Sequence, residues 1–269
     1  MSLDDNFAQN VTTAQTVPLT VSKPEHRPVA SWLHTVVLVL VMLGLSFLGS
    51  RSQHRHATHA YQNLYYLLQM AMEWVIVGYV YLGIRRRGLR LQDIVGGDWK
   101  FRDLLRGKWD SLLEILLDVA IAAGFWVVSL MVLGALGYFL GLGGTSGIGD
   151  AKEKLGGLIP QTVAQVLMFI PLSITAGFCE EVIFRGYLQR QFTALGRTEI
   201  VGILLQAAVF GLGHGYQGGP RMFMLAVYGA MFGIVASMRK SLRPGMITHA
   251  WQDAISGVMM YVLFVVLKK

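Results

Sequence analysis

The run GFCEEVIFRGYLQR sets Glu180, Glu181 and Arg185 together in an otherwise apolar stretch. An ionisable group in a membrane span costs about 3 kcal/mol on insertion scales, so three in one run need a reason. Residues four apart share a helix face, so Glu181 and Arg185 can form an ion pair. Glu180 points about 100° away and cannot use the same arginine equally well. One carboxylate is then neutralised, and its neighbour faces something else. The same spacing also fits two glutamates that simply end a span at the interface. Further along, AAVFGLGHG carries Phe210 and His214 four apart, and PGMITHAWQD carries His249 and Asp253 four apart. A lone histidine on an apolar helix is an ordinary packed residue. Two of them beside a Glu-Glu-xxx-Arg element suggest proton transfer or metal binding.

The elements that position these residues follow from composition. The chain has 269 residues, is 54% hydrophobic and only 14% charged, and carries a net charge of +7. Soluble domains average about 25% charged residues, so the composition indicates a membrane protein. At about 20 residues per span, the expected fold is all-α: a polytopic transmembrane helical bundle of about seven spans, with the ionisable motifs in a cavity of its C-terminal half. The expected spans lie near 32–49, 61–84, 112–140, 159–194, 200–216, 222–238 and 244–267. Residues 1–30 read as a flexible N-terminal tail, 31–150 as N-terminal transmembrane helices with an interfacial segment, and 151–269 as the catalytic part. The stretch LRLQDIVGGDWKFRDLLRGKWD reads as lying at the interface or as a loop in water. The glycine-rich stretch GLGGTSGIGDAKEKLGG reads as a hairpin linker and lacks the phosphate-cradling GxxxxGK[ST] pattern.

The basic residues cluster at the ends of apolar runs, so the charge is topological and no separate basic domain speaks for nucleic acid. With the N-terminal tail inside, fifteen Lys and Arg face the cytoplasm and seven face out, which favours a cytoplasmic N-terminus. The single cysteine, Cys179, excludes a disulfide framework within the chain and a cysteine-rich metal site.

The three elements together resemble the motif set of the CAAX protease and bacteriocin-processing family, the type II CAAX prenyl endopeptidase-like proteins. That set reads EExxxR, FxxxH and HxxxN or HxxxD. Here it is EEVIFR from Glu180 to Arg185, FGLGH from Phe210 to His214, and HAWQD from His249 to Asp253. The resemblance covers about residues 157–267. It implies an intramembrane glutamate protease in which Glu180, as general base, and His214 activate a water. It implies that Glu181, Arg185 and Phe210 support the site and that His249 and residue 253 stabilise an oxyanion. Ionised Asp253 cannot donate a hydrogen bond, so it would orient His249 or act while protonated. The implied site needs no metal or other cofactor. Two histidines and a glutamate are nevertheless a known zinc ligand set, although HExxH is absent.

The implied substrate is a membrane-associated protein or peptide, with either CAAX-type or leader-peptide processing, and the second partner is the lipid bilayer. The short chain and loops suggest a bacterial cytoplasmic membrane. The alternative is a non-enzymatic bacteriocin-immunity or scaffold protein; a proton-relay transporter would also use buried carboxylates. On a plain seven-span arrangement, His249 lies near the cytoplasmic end and His214 near the outer end. Convergence of Glu180, His214 and His249 therefore requires helices that start at staggered depths. Glu73 with Gln69, Glu114 with Asp118, and the cluster His54, His56 and His59 are read as features outside the motif set. For Glu114 and Asp118 the expected place is the interface, and for the three histidines a solvated turn.

Overall fold

The computed structural model describes residues 27–52, 61–97, 103, 105–107 and 109–268. The three histidines at 54, 56 and 59 and the expected tail up to residue 26 lie outside these. Among the described residues every regular element is helical. Six helical stretches are long and apolar enough to cross a membrane: 32–49, 62–85, 109–139, 163–196, 219–239 and 243–266. A seventh, Glu199–Gly213, is apolar but only 15 residues long.

The helices are α1 (Trp32–Ser52), α2 (Gln62–Arg85), the short α3 (Leu91–Val95) and α4 (Trp109–Phe139). They continue as α5 (Gly144–Leu155), α6 (Val163–Glu181), α7 (Gln189–Gly196), α8 (Glu199–Gly213), α9 (Gly219–Arg239) and α10 (Arg243–Tyr261). Between α6 and α7 the backbone widens into a π-helical segment, Val182–Leu188, without breaking the span. Local chemistry sets several starts. Thr162 and Thr198 accept the backbone N–H of Gln165 and Val201 and so cap α6 and α8. Pro220 and Pro244 fall in the first turns of α9 and α10, where a missing N–H costs nothing.

The main core gathers Leu38, Val80, Ile84 and Ile94 around Val182, Ile183, Phe184, Tyr187 and Leu188, with Phe210 and Leu242. All seven residues of the π-helical segment are buried, so it is the hub on which α1, α2, α3 and α8 pack. Val29 and Ala30 already belong to this core, and Ala30 exchanges hydrogen bonds with Gln191.

Three readings need correction. The glycine-rich stretch expected to be a linker contains the 12-residue helix α5. Ile148, Ala151 and Leu155 share one helical face and line a cavity of about 560 Å³ with residues of α4, α9 and α10. Glu114 and Asp118 are not merely interfacial, because both bind Arg239 and tie α4 to α9. In the charged stretch after Arg87, α3 is tucked into protein: Ile94 is fully buried, and Arg190 donates to the carbonyls of Asp93 and Ile94.

Candidate active site

The site is built on an antiparallel hairpin and a helix that starts deep. Sixteen residues separate Glu180 from Gly196, and fifteen separate Glu199 from His214. The return helix α8 therefore brings His214 back toward the level of Glu180. At 1.5 Å per residue α8 spans about 22 Å, less than a hydrocarbon core of about 30 Å, so its end stops at depth. Helix α10 begins beside the π-helical segment, where Leu242 packs near Gly186. His249, one to two turns on, thus climbs back to Glu181. These offsets remove the depth conflict of a plain seven-span arrangement.

Glycines set the approach of α6 to α10. A Cβ on Gly177 would meet the backbone nitrogen of Ala250 and the backbone oxygen of Met246, each at 2.9 Å. Only glycine lets the two backbones come so close, and His249 sits at that contact. Gly245 likewise leaves room for Glu181, whose Oε2 would lie 2.9 Å from an added Cβ.

At the centre Arg185 donates from one guanidinium nitrogen to Glu181 Oε1 at 2.8 Å, with side-chain exposures of 0% and 1%. Its other terminal nitrogen donates to the carbonyl of Gly229 at 3.2 Å. The guanidinium lies 4.6 Å and 4.8 Å from the ring centroids of Phe210 and Phe232, where cation–π attraction supports it. Phe210 is thus a wall of the arginine's cage as well as the residue one turn before His214.

His249 is buried, and its two nitrogens face different partners. Nδ1 lies 3.3 Å from Glu181 Oε1, and Nε2 lies 3.7 Å from both Glu180 Oε2 and Asp253 Oδ2. An ionised carboxylate only accepts, so Nδ1 donates to Glu181 and Nε2 is turned toward Glu180 and Asp253. Glu181, rather than Asp253, is the residue that orients the ring. Exposure rises along this group from Glu181 at 1% through Glu180 at 19% to Asp253 at 37%. The cluster therefore opens on the Asp253 side.

His214 sits in the adjoining layer. Its Nδ1 donates to the carbonyl of Phe210 at 2.8 Å, which leaves Nε2 as the nitrogen able to accept a proton. Its ring lies 4.7 Å from Phe210, and the ring of Phe210 lies 6.4 Å from His249. His214 is also within electrostatic range of Asp253. Among the described residues it makes no hydrogen bond or ion pair with Glu180. No three His, Cys, Asp or Glu among them are grouped to hold a metal ion.

Glu73 on α2 also faces this cluster. It is 5% exposed and lies within electrostatic range of Glu180, His249 and Asp253. The motif set does not contain it, but a carboxylate well inside a span was the available signal. The 560 Å³ cavity is lined by none of the acid–base side chains. Its Ser256 accepts a hydrogen bond from Gln252 on the same helix.

Fold and cluster define an all-helical membrane protein with buried acid–base groups at span depth. Residues 162–255 match the family model of type II CAAX prenyl endopeptidase Rce1-like proteins, a stretch that holds all three motifs. The match supports a membrane endopeptidase in general. Comparison with curated proteins and with solved structures gives no match.

Proposed function

We propose that the chain is an intramembrane, metal-independent endopeptidase that hydrolyses a peptide bond in a membrane-associated protein or peptide. The observation that carries this reading is the packing of His249 between Glu181 on one ring nitrogen and Glu180 with Asp253 on the other. Glu180 is the partly accessible carboxylate of its pair, because Arg185 is committed to Glu181. A water held between Glu180 and His214 Nε2 gives its proton to Glu180, and its oxygen bonds to the substrate carbonyl carbon. The carbonyl oxygen takes the negative charge and is stabilised from His249 Nε2 when that nitrogen carries a proton. Asp253 contributes there only while protonated. The carbon–nitrogen bond then breaks, and the proton on Glu180 passes to the leaving amine. Glu181 and Arg185 act by holding His249 and the helix beneath it.

The substrates in view are a CAAX-type carboxyl terminus and a leader peptide. The distribution of Lys and Arg favours a cytoplasmic N-terminus. The test compares new peptide termini in membranes carrying wild-type or Glu180→Gln protein at equal expression. Termini that appear only with wild type establish proteolysis and locate the cleavage site. Identical termini in a host that supplies the native substrate favour the immunity or scaffold role. Cleavage that persists in a chelator supports independence from metal, and cleavage abolished by the chelator and restored by zinc overturns it.

A further inference from the structure

Glu73 belongs to none of the three motifs, yet it is a buried acid in the middle of α2. The pairing of α2 with α6 puts it there. Tyr66 packs edge-on against Phe169, with ring centroids 5.5 Å apart, and Trp74 stacks on Phe178 at 5.4 Å. Glu73 lies beside Trp74 on this seam, and Glu180 lies two residues beyond Phe178. Gln69, one turn earlier on α2, donates to Glu73 Oε1 at 3.1 Å. Glu73 Oε2 is buried without a hydrogen-bond partner, and so is Glu180 Oε2.

Two carboxyl groups within electrostatic range of each other, each with a buried and unpartnered oxygen, cannot both ionise at low cost, and sharing one proton removes the conflict. The charge balance argues the same way. Glu73, Glu180, Glu181 and Asp253 bring four carboxyl groups; among the described residues around them Arg185 is the one permanent cation, and His249 is a base that can carry a second charge. Around Glu73 itself, α6 presents Cys179 and Glu180, and α10 presents His249 and Asp253. Of these carboxyls, Glu181 is fixed as an acceptor by Arg185 and His249, and Asp253 is the most open to water. Glu73 is buried, has an orphaned oxygen and makes no ion pair among the described residues, so it is the best place for a proton.

We infer that Glu73 is the proton-holding carboxyl of the site: neutral, it donates from Oε2 to Glu180, so the pair carries a single negative charge. Glu73 is then a positioning residue that holds the Glu180 carboxylate toward the water. The inference rests on the endopeptidase reading for its role, but the proton can be sought without any cleavage assay.

The test is infrared difference spectroscopy of the full chain in lipid vesicles at neutral pH, with Glu73→Gln and Asp253→Asn variants. The expected result is a protonated-carboxyl band in wild type that persists in Asp253→Asn and is lost in Glu73→Gln. No such band, or one that survives Glu73→Gln, overturns the inference. A band lost in Asp253→Asn instead gives the proton to Asp253 and overturns it as well. Where cleavage is observed, the pH profile of kcat/KM adds a second readout. The alkaline limb of wild type, which marks loss of the shared proton, disappears in Glu73→Gln because an amide donates without titrating. An unchanged alkaline limb overturns the role, whereas cleavage that survives Glu180→Gln overturns the endopeptidase reading itself.

Discussion

Two polar networks lie within the apolar helices of this protein, and they differ in one respect. In the first, His34 on α1 bonds Tyr187 Oη at 2.9 Å through Nδ1 and the Tyr79 carbonyl at 2.9 Å through Nε2. Tyr187 also meets Thr35, and Gln191 donates to Thr35 at 2.6 Å and to the carbonyl of Ala30. No side-chain atom of these residues is left buried without a partner. In the second network Glu73, Glu180 and Glu181 each keep an oxygen that is buried and without a partner. A buried polar group is normally satisfied because leaving it so costs about 1–3 kcal/mol. The first network spends all its hydrogen bonds on tying α1 and α2 to the π-helical segment. The second leaves capacity for a water or a substrate. A histidine among apolar helices is thus no sign of chemistry by itself.

The sharpest break of this comparison is Glu180→Gln. It removes the base and keeps the shape, so we expect a loss of about 10²–10⁴-fold in cleavage with unchanged thermal unfolding in detergent. A similar loss of cleavage from a His34 substitution, measured per folded molecule, would erase the distinction between the networks. Next in size is Arg185→Met. It leaves Glu181 buried and uncompensated, at a cost of about 3–5 kcal/mol of stability, read as a lowered unfolding temperature. Adding Glu181→Leu to Arg185→Met should recover much of that stability, since apolar pairs replace buried ion pairs well. Cleavage should stay lost, because His249 loses the carboxylate that orients it.

What the sequence made legible follows the same division. The spans were readable because each is an unbroken apolar run. EEVIFR, FGLGH and HAWQD were readable because ionisable residues stand out in such runs. The π-helical segment was not, since no residue type signals a wider turn and Val182–Leu188 looks like any buried helix. Helix α5 was hidden by its glycines, although Ile148, Ala151 and Leu155 carry the helical period. The orientation of His249 by Glu181 was missed because it joins residues on different helices, while spacing relates only neighbours along one helix. Glu73 stood out as a carboxyl inside an apolar run, but its nearness to the cluster depends on how α2 packs on α6. The partnership of Arg239 with Glu114 and Asp118 is likewise a tertiary fact.

Smaller effects sharpen the contrast. His34→Phe keeps a ring stacked against Tyr79, whose centroid is 3.8 Å away, but strips a donor or acceptor from Tyr187 and from the Tyr79 carbonyl. We expect a loss of about 1–3 kcal/mol of stability and an unchanged cleavage rate per folded molecule. Equilibrium unfolding and a rate corrected for the folded fraction check the two halves separately.

The smallest effect belongs to Asp150, on a helix outside the spans. Asp150 on α5 binds Arg221 and Lys154, and the Arg221 hydrogen bond holds its carboxyl below the usual carboxylate range. A carboxyl depressed in the folded state stabilises it above the unfolded value, near 4, and the contribution fades as pH falls through the folded value. Asp150 is exposed to solvent, which screens the pair. Asp150→Asn should therefore raise amide exchange over residues 144–155 only slightly at about pH 6, and the difference from wild type should vanish toward about pH 3. A difference that persists at acid pH would mean that Asp150 holds α5 by shape rather than by charge. The buried Glu181–Arg185 pair makes the contrasting prediction. Desolvation makes the loss of one partner costly, so at about pH 6 Arg185→Met should destabilise far more than Asp150→Asn does.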